Sequence, residues 1–150
     1  MRSVDMELLE SLLYNEERDE IIRTLSIITN PLTLHIFAAN YNWDDGLSIP
    51  TVIMENKVCD FGTGLLLFHD GDGYSMLQNE EDVLNSTCHE WRDFLLQLYN
   101  KITNLQFQSQ CISFDPPLTK TQRYKLQKYN NVPPILINKS PGTVFDIPSI

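Results

Sequence analysis

The sequence predicts a mainly α-helical fold: a compact array of about six or seven helices forming a single domain over residues 1–150, with a short extended segment near the C-terminus. Three observations lead there. Apolar residues recur at spacings of three and four along most of the chain, which places them on single helical faces. Residues that start or stop helices, such as Asn30-Pro31, stand between these stretches. A length of 150 residues with 42% hydrophobic content is enough to build one core without covalent staples, and no internal repeat or low-complexity linker marks a second domain.

In chain order, Val4, Leu8, Leu9, Leu12 and Leu13 form the first amphipathic face, with Ser3 as its N-cap and acids in the first turn. Ile21, Ile22, Leu25 and Ile28 form the second, ending before Asn30-Pro31. Asn30 as N-cap and Pro31 in the first helical position then open a third helix through Leu34, Ile36, Phe37 and Ala38. Three short helices in succession suggest an antiparallel stack. Turn-formers occupy Asn40 to Pro50, and a helix restarts near Ser48 with Val52, Ile53 and Met54. Asp60 is placed to cap a helix whose centre, Leu65 to Phe68, is apolar on every side, with Gly71 and Gly73 closing it. Gly62 and Gly64 lower its helix propensity but allow a neighbouring backbone to approach. The longest helix is expected over Asn79 to Asn104, on Val83, Thr87, Trp91, Phe94, Leu95, Leu98 and Ile102, with a length of roughly 35 Å. Phe107 to Phe114 reads as extended, Thr119 and Gln122 as a capping box for a basic helix, and Val132 to Ile137 as an edge strand or extended arm.

Twenty acids against eleven bases give a net charge of -9, and the two signs are segregated. Residues 1–60 hold eleven acids and four bases, residues 61–115 eight and two, and residues 116–150 one and five. Such a surface repels nucleic acid over most of its extent and attracts a basic protein. No apolar run approaches the ~18 residues of a membrane span and no signal-peptide pattern opens the chain, so a soluble cytoplasmic protein is expected. Cys59, Cys88 and Cys111 fit neither a disulfide framework nor a CxxC site and are expected as reduced, mostly buried thiols.

Several clusters invite a chemical reading. Trp43, Asp44 and Asp45 place adjacent carboxylates that bind a metal or share a proton in other proteins, but a turn with a core-plugging Trp accounts for them as well. Asp70, Asp72 and Glu81 match positions one, three and twelve of a calcium loop, which then fails at Tyr74 and Ser75. Cys88, His89 and Glu90 are consecutive and point ~100° apart on a helix, and His89 is spaced to pair with Asp93. His35 and His69 lie in apolar helices, where structural histidines are expected. Tyr124 and Tyr129 on the basic helix form a minor candidate for RNA contact. Nucleotide, zinc and serine-hydrolase signatures are missing, so binding rather than catalysis is expected, with no catalytic, cofactor or metal residues.

The segment Phe37 to Tyr74 resembles a bacterial family described as domain of unknown function 4274, through Asn40, Tyr41, Asn42, Trp43, Asp44, Asp45, Gly46, Pro50, Asn56, Cys59, Asp60, Gly62 and Thr63. The family has no assigned activity and so transfers no catalytic residues. The resemblance implies a context: similar small acidic domains accompany bacterial toxins, including those of contact-dependent growth inhibition systems, as immunity proteins. The expectation is then an immunity protein covering the active site of a basic nuclease toxin, most simply an RNase. Its contact residues are expected among Glu10, Glu16, Glu17, Asp19 and Glu20, and secondly Asp70, Asp72, Glu80, Glu81 and Asp82. Two alternatives stand beside it: a hydrolase or metal-dependent enzyme using Asp44 and Asp45 with a histidine, and a cytosolic protein-interaction module.

Overall fold

A computed structural model describes residues 4–150. Among them are nine α-helices: α1 (Met6–Tyr14), α2 (Arg18–Ile27), α3 (Pro31–Asn40), α4 (Ser48–Glu55), α5 (Phe61–Asp70), α6 (Gly73–Gln78), α7 (Glu80–Leu84), α8 (His89–Thr103) and α9 (Lys120–Tyr129). Two 3-10 turns, Trp43–Asp45 and Pro134–Leu136, complete the regular structure. The fold is mainly helical and compact, as expected, and no helix among the described residues is long and apolar enough to cross a membrane.

α5 is the centre. Phe61 to Phe68 are all buried, and α3, α4, α6 and α8 pack around them. Each buried Leu or Phe contributes about 2 kcal/mol relative to exposure, so this helix alone carries a large share of the stability. Gly62 and Gly64 give the close approach that their missing side chains allow. A Cβ on Gly62 would lie 1.8 Å from the Ile112 carbonyl oxygen, and one on Gly64 would lie 2.3 Å from the Phe107 ring.

Local chemistry explains most boundaries. Asn30 accepts the Leu32 N–H at 3.1 Å while Pro31 sits in the first turn of α3. Asp60 caps α5 by accepting the Gly62 N–H at 2.9 Å. Thr119 and Gln122 form the reciprocal capping box of α9. At α1 the observed cap is Asp5, which accepts the Leu8 N–H; the expected cap Ser3 lies outside the described residues.

Five expectations need correction. The helix expected from Asn79 to Asn104 is two helices, α7 and α8, separated by Asn85 to Cys88. There the Ser86 hydroxyl accepts the Cys88 N–H at 3.1 Å, a local side-chain bond that competes with helix continuation. α8, with 15 residues, is roughly 22 Å long. Gly73 opens α6 instead of closing α5, and Asp72 takes the left-handed turn between them at φ 65°. These two breaks raise the helix count above seven. The first three helices do not form an antiparallel stack: α1 packs chiefly on α3 and α2 on α4. Val132 to Ile137 is neither strand nor extended arm, because Pro134 starts a 3-10 turn. Only Cys59 of the three thiols is buried. The Phe107 to Phe114 segment, expected as extended, is not helical, and its residue Ile112 forms an isolated parallel bridge with Thr143.

Candidate partner-binding surface

The chain returns from α3 through Asn42, whose side chain accepts the Asp44 N–H and starts the 3-10 turn. Gly46 ends it at φ 96°, a conformation that favours glycine. Trp43 is half-buried, edge-on to Tyr41 at 5.6 Å and to Phe94 at 6.0 Å, so it plugs the core as the turn reading expects. Asp44 and Asp45 are left exposed. Arg18, the first residue of α2, donates from Nη2 to the Asp45 carbonyl at 2.8 Å and fixes α2 against this turn.

That link creates a groove of about 410 Å³ between the end of α1, the start of α2 and the 3-10 turn, lined by Tyr14, Glu16, Arg18, Ile21, Asp45 and Ile49. Tyr14 is 73% exposed. Glu16 and Asp45 supply two carboxylates to the groove, and Glu17, Asp19, Glu20 and Asp44 are exposed nearby in the chain. The Tyr41 hydroxyl donates to the Gly46 carbonyl at 2.7 Å, and burial, with Asp45 close by, pushes it up to about 12, so it stays a neutral donor. An exposed aromatic ring beside carboxylates is suited to a cationic, partly apolar partner surface.

All ten acids expected at the contact surface are exposed. Glu16 lies in the groove; Glu10 lies on α1, and Glu17, Asp19 and Glu20 surround the start of α2. Sequence reasoning passed over Tyr14 and assigned Asp44 and Asp45 mainly to the fold, or in the enzyme alternative to catalysis, and not to a partner contact. Tyr14 carried a readable signal, since it falls beside the Leu8, Leu9, Leu12 and Leu13 face instead of on it. The second cluster has structural employment. Glu80, Glu81 and Asp82 occupy the first turn of α7, where the helix dipole favours acids. The Asp72 carboxylate accepts the Ser75 hydroxyl at 2.7 Å, and desolvation pushes the Asp70 carboxyl up to about 6. Among the described residues no three His, Cys, Asp or Glu side chains gather as a metal site.

The remaining polar candidates are structural ties. His35 Nδ1 lies 2.9 Å from the Thr63 hydroxyl in the interior, and burial lowers this imidazole to about 4 despite the Asp60 charge. His69 Nε2 lies 2.7 Å from the Leu136 carbonyl. The groove that Asp45 lines contains no histidine. Asp93 pairs with Arg92 at 3.0 Å, in place of the expected His89. Asn56 donates to the Leu25 and Ile28 carbonyls and closes α2. Asn40 donates to the Pro148 carbonyl and accepts the Ile150 N–H, each at 2.9 Å or less. Most residues that carry the family likeness therefore hold the fold together.

A family model for a domain of unknown function, DUF4274, matches residues 29–103. The match runs from the cap of α3 to the end of α8 and includes the core helix and the Trp43–Asp45 turn. It leaves α1, α2 and α9 outside. No curated protein and no solved structure matches the chain. With half of its length covered by the family model, and the NYNWDDG turn and buried Asp60 cap inside that half, the chain belongs to the DUF4274 family.

Proposed function

We propose that this chain is an immunity protein, which binds a cognate bacterial toxin and neutralises it by laying an acidic surface over the active site of a basic nuclease domain, most simply an RNase. The observation that carries the reading is the groove of Tyr14, Glu16 and Asp45, taken with exposed Glu10, Glu17, Asp19, Glu20 and Asp44. A nuclease cleft is built to hold phosphates with Lys and Arg, so a surface of carboxylates competes for the same cations. The aromatic ring adds apolar contact area at low entropic cost, as interface tyrosines do. The partner acts in the cytoplasm, and the chain carries out no catalysis of its own.

The test is co-expression with any toxin-like domain that is found encoded beside this gene. A stable complex is expected, with enzymatic activity suppressed and an association rate that falls as ionic strength rises from about 0.05 to 0.5 M. The double variant Glu16→Lys with Asp45→Lys is expected to weaken it by at least tenfold, since each reversal replaces attraction by like-charge repulsion. Absence of any complex, or binding indifferent to both salt and charge reversal, would sink the reading.

A further inference from the structure

α9 buries little of its own surface. Leu126 is its one buried residue. Arg123 ties it down by donating to the Ile137 and Pro116 carbonyls and to the Asp115 carboxylate, and Asn130, just after it, donates to the Gln78 carbonyl. Everything else on its outer side faces solvent: Lys120, Lys125, Lys128, Tyr124 at 54% exposure and Tyr129 at 67%. These side chains are mutually organised. Lys128 Nζ sits 2.8 Å from the Tyr124 hydroxyl, and 5.3 and 5.5 Å from the centroids of the Tyr124 and Tyr129 rings. Five of the eleven bases of the whole chain fall in residues 116–150, against one acid.

A basic helix with two exposed tyrosines, and a groove with a third in which Glu16 and Asp45 stand beside Arg18 and exposed Glu17, Asp19, Glu20 and Asp44 lie nearby in the chain, are thus present on one molecule. The hydrogen bonds of α9 and of Asn130 after it run to residues 78, 115, 116, 119, 132 and 137, whereas the groove is lined by residues among 13–21, 45 and 49. The two surfaces are complementary in charge, and among the described residues no ion pair joins them within one copy. We infer that this chain associates head to tail with a second copy of itself, the Lys120–Tyr124–Lys128 face of α9 seating on the Tyr14–Glu16–Asp45 groove of the next molecule. Because the two patches differ, the contact is heterologous and each copy keeps one surface of each kind free for further association. The net charge of -9 opposes close approach of two copies, so the contact is weak and confined to conditions in which the local pairing outweighs the long-range repulsion. The assembly itself does not depend on the proposed function; where that function holds, self-association and the basic partner compete for one groove.

Light scattering coupled to gel filtration tests this on the protein alone. At about 25 mM salt the weight-average mass is expected to rise above the 17.4 kDa of one chain with increasing concentration, and to return to it at about 0.5 M. The triple variant Lys120→Glu, Lys125→Glu, Lys128→Glu and the triple variant Glu16→Lys, Asp44→Lys, Asp45→Lys are each expected to stay at the mass of one chain at low salt. Mixed together under the same conditions they are expected to assemble with each other, because the intact α9 meets the intact groove and the acidic α9 meets the basic groove, a charge swap that restores the attraction. Far-UV circular dichroism of each variant checks that it is folded. A constant mass for the unmodified chain at low salt overturns the inference, whatever the toxin experiment gives. So does assembly that survives reversal of the α9 lysines. A third overturning result is a chain that stays single and binds a fluorescent single-stranded RNA oligonucleotide through α9, which would make the patch a nucleic-acid surface.

Discussion

The Asp60 carboxylate accepts the Cys111 backbone N–H at 2.6 Å, joining the start of the core helix to a segment fifty-one residues further along the chain. The same buried side chain also accepts the Ser109 hydroxyl at 2.6 Å, the Ile112 N–H at 3.1 Å and the Gly62 N–H at 2.9 Å. A fully buried charge is tolerable only when its lone pairs are filled in this way. Asp60→Ala therefore strands three backbone donors, and is expected to cost about 4 kcal/mol in urea unfolding. Asp60→Asn keeps one acceptor oxygen but points an amide at the other donors, and should also destabilise, by roughly 2 kcal/mol. A change within about 0.5 kcal/mol for the alanine variant would show that the carboxylate does not hold the segment.

Gly62→Ala is a case where helix propensity and packing give opposite signs. Propensity alone favours alanine in a helix by about 1 kcal/mol. The added Cβ would stand 1.8 Å from the Ile112 carbonyl oxygen, a backbone atom held in place by Asp60. Net destabilisation of about 2 kcal/mol is expected. Gly64→Ala meets the Phe107 ring, a half-buried side chain that is freer to move, and should cost less. In a Phe107→Ala background the obstacle is gone, and Gly64→Ala should become neutral or stabilising. Thermal or urea midpoints of the four variants decide it, and a stabilised Gly62→Ala would reject the close contact.

These two glycines also show what was legible in the sequence. Their role in close approach was readable, because glycine lowers helix propensity and close packing is what offsets that loss inside an apolar helix. The caps Asn30, Asp60 and Thr119 were readable too, since their bonds are local. What Asp60 reaches beyond its own helix was not readable, since residues 109–112 carry no sign of their distant partner. The break between α7 and α8 was hidden for a related reason: Val83, Thr87 and Trp91 keep helical spacing across it, and only the Ser86 side-chain bond reveals the interruption. At the candidate site the acids were legible as charge. The groove was not, because Arg18 assembles it by bonding to Asp45 across twenty-seven residues.

The thiols separate by environment. Burial pushes Cys59 up to about 12, whereas Cys88 and Cys111 are exposed. A disulfide-exchange reagent at about pH 8 is expected to label two thiols quickly and the third only on unfolding, because the thiolate is the reacting form. The Cys88→Ser, Cys111→Ser double variant should be inert when native. Rapid labelling of that variant would mean that the interface of α4 and α5 opens readily.

His35 makes the stability of the fold depend on pH in a predictable direction. Its imidazole is 2% exposed and lowered from 6.5 to about 4, chiefly by burial, with Asp60 pulling the other way. Protonation therefore favours the unfolded chain, whose histidine binds a proton first. The contribution of neutral His35 is fully present above pH 6.5 and is lost as pH falls through the folded value near 4, a change of about 3 kcal/mol across that window. His69 is also lowered, by burial, and acts with the same sign, whereas Asp70, raised to about 6, acts with the opposite sign as pH rises. Comparison with His35→Gln cancels both, because they are common to the two chains and neither contacts His35. Glutamine keeps a polar group near the Thr63 hydroxyl but does not titrate, so it is less stable at neutral pH and flatter below it. The difference in urea unfolding free energy between the two proteins should shrink by about 3 kcal/mol between pH 6.5 and 4, and parallel profiles would show that the buried imidazole is not the titrating group.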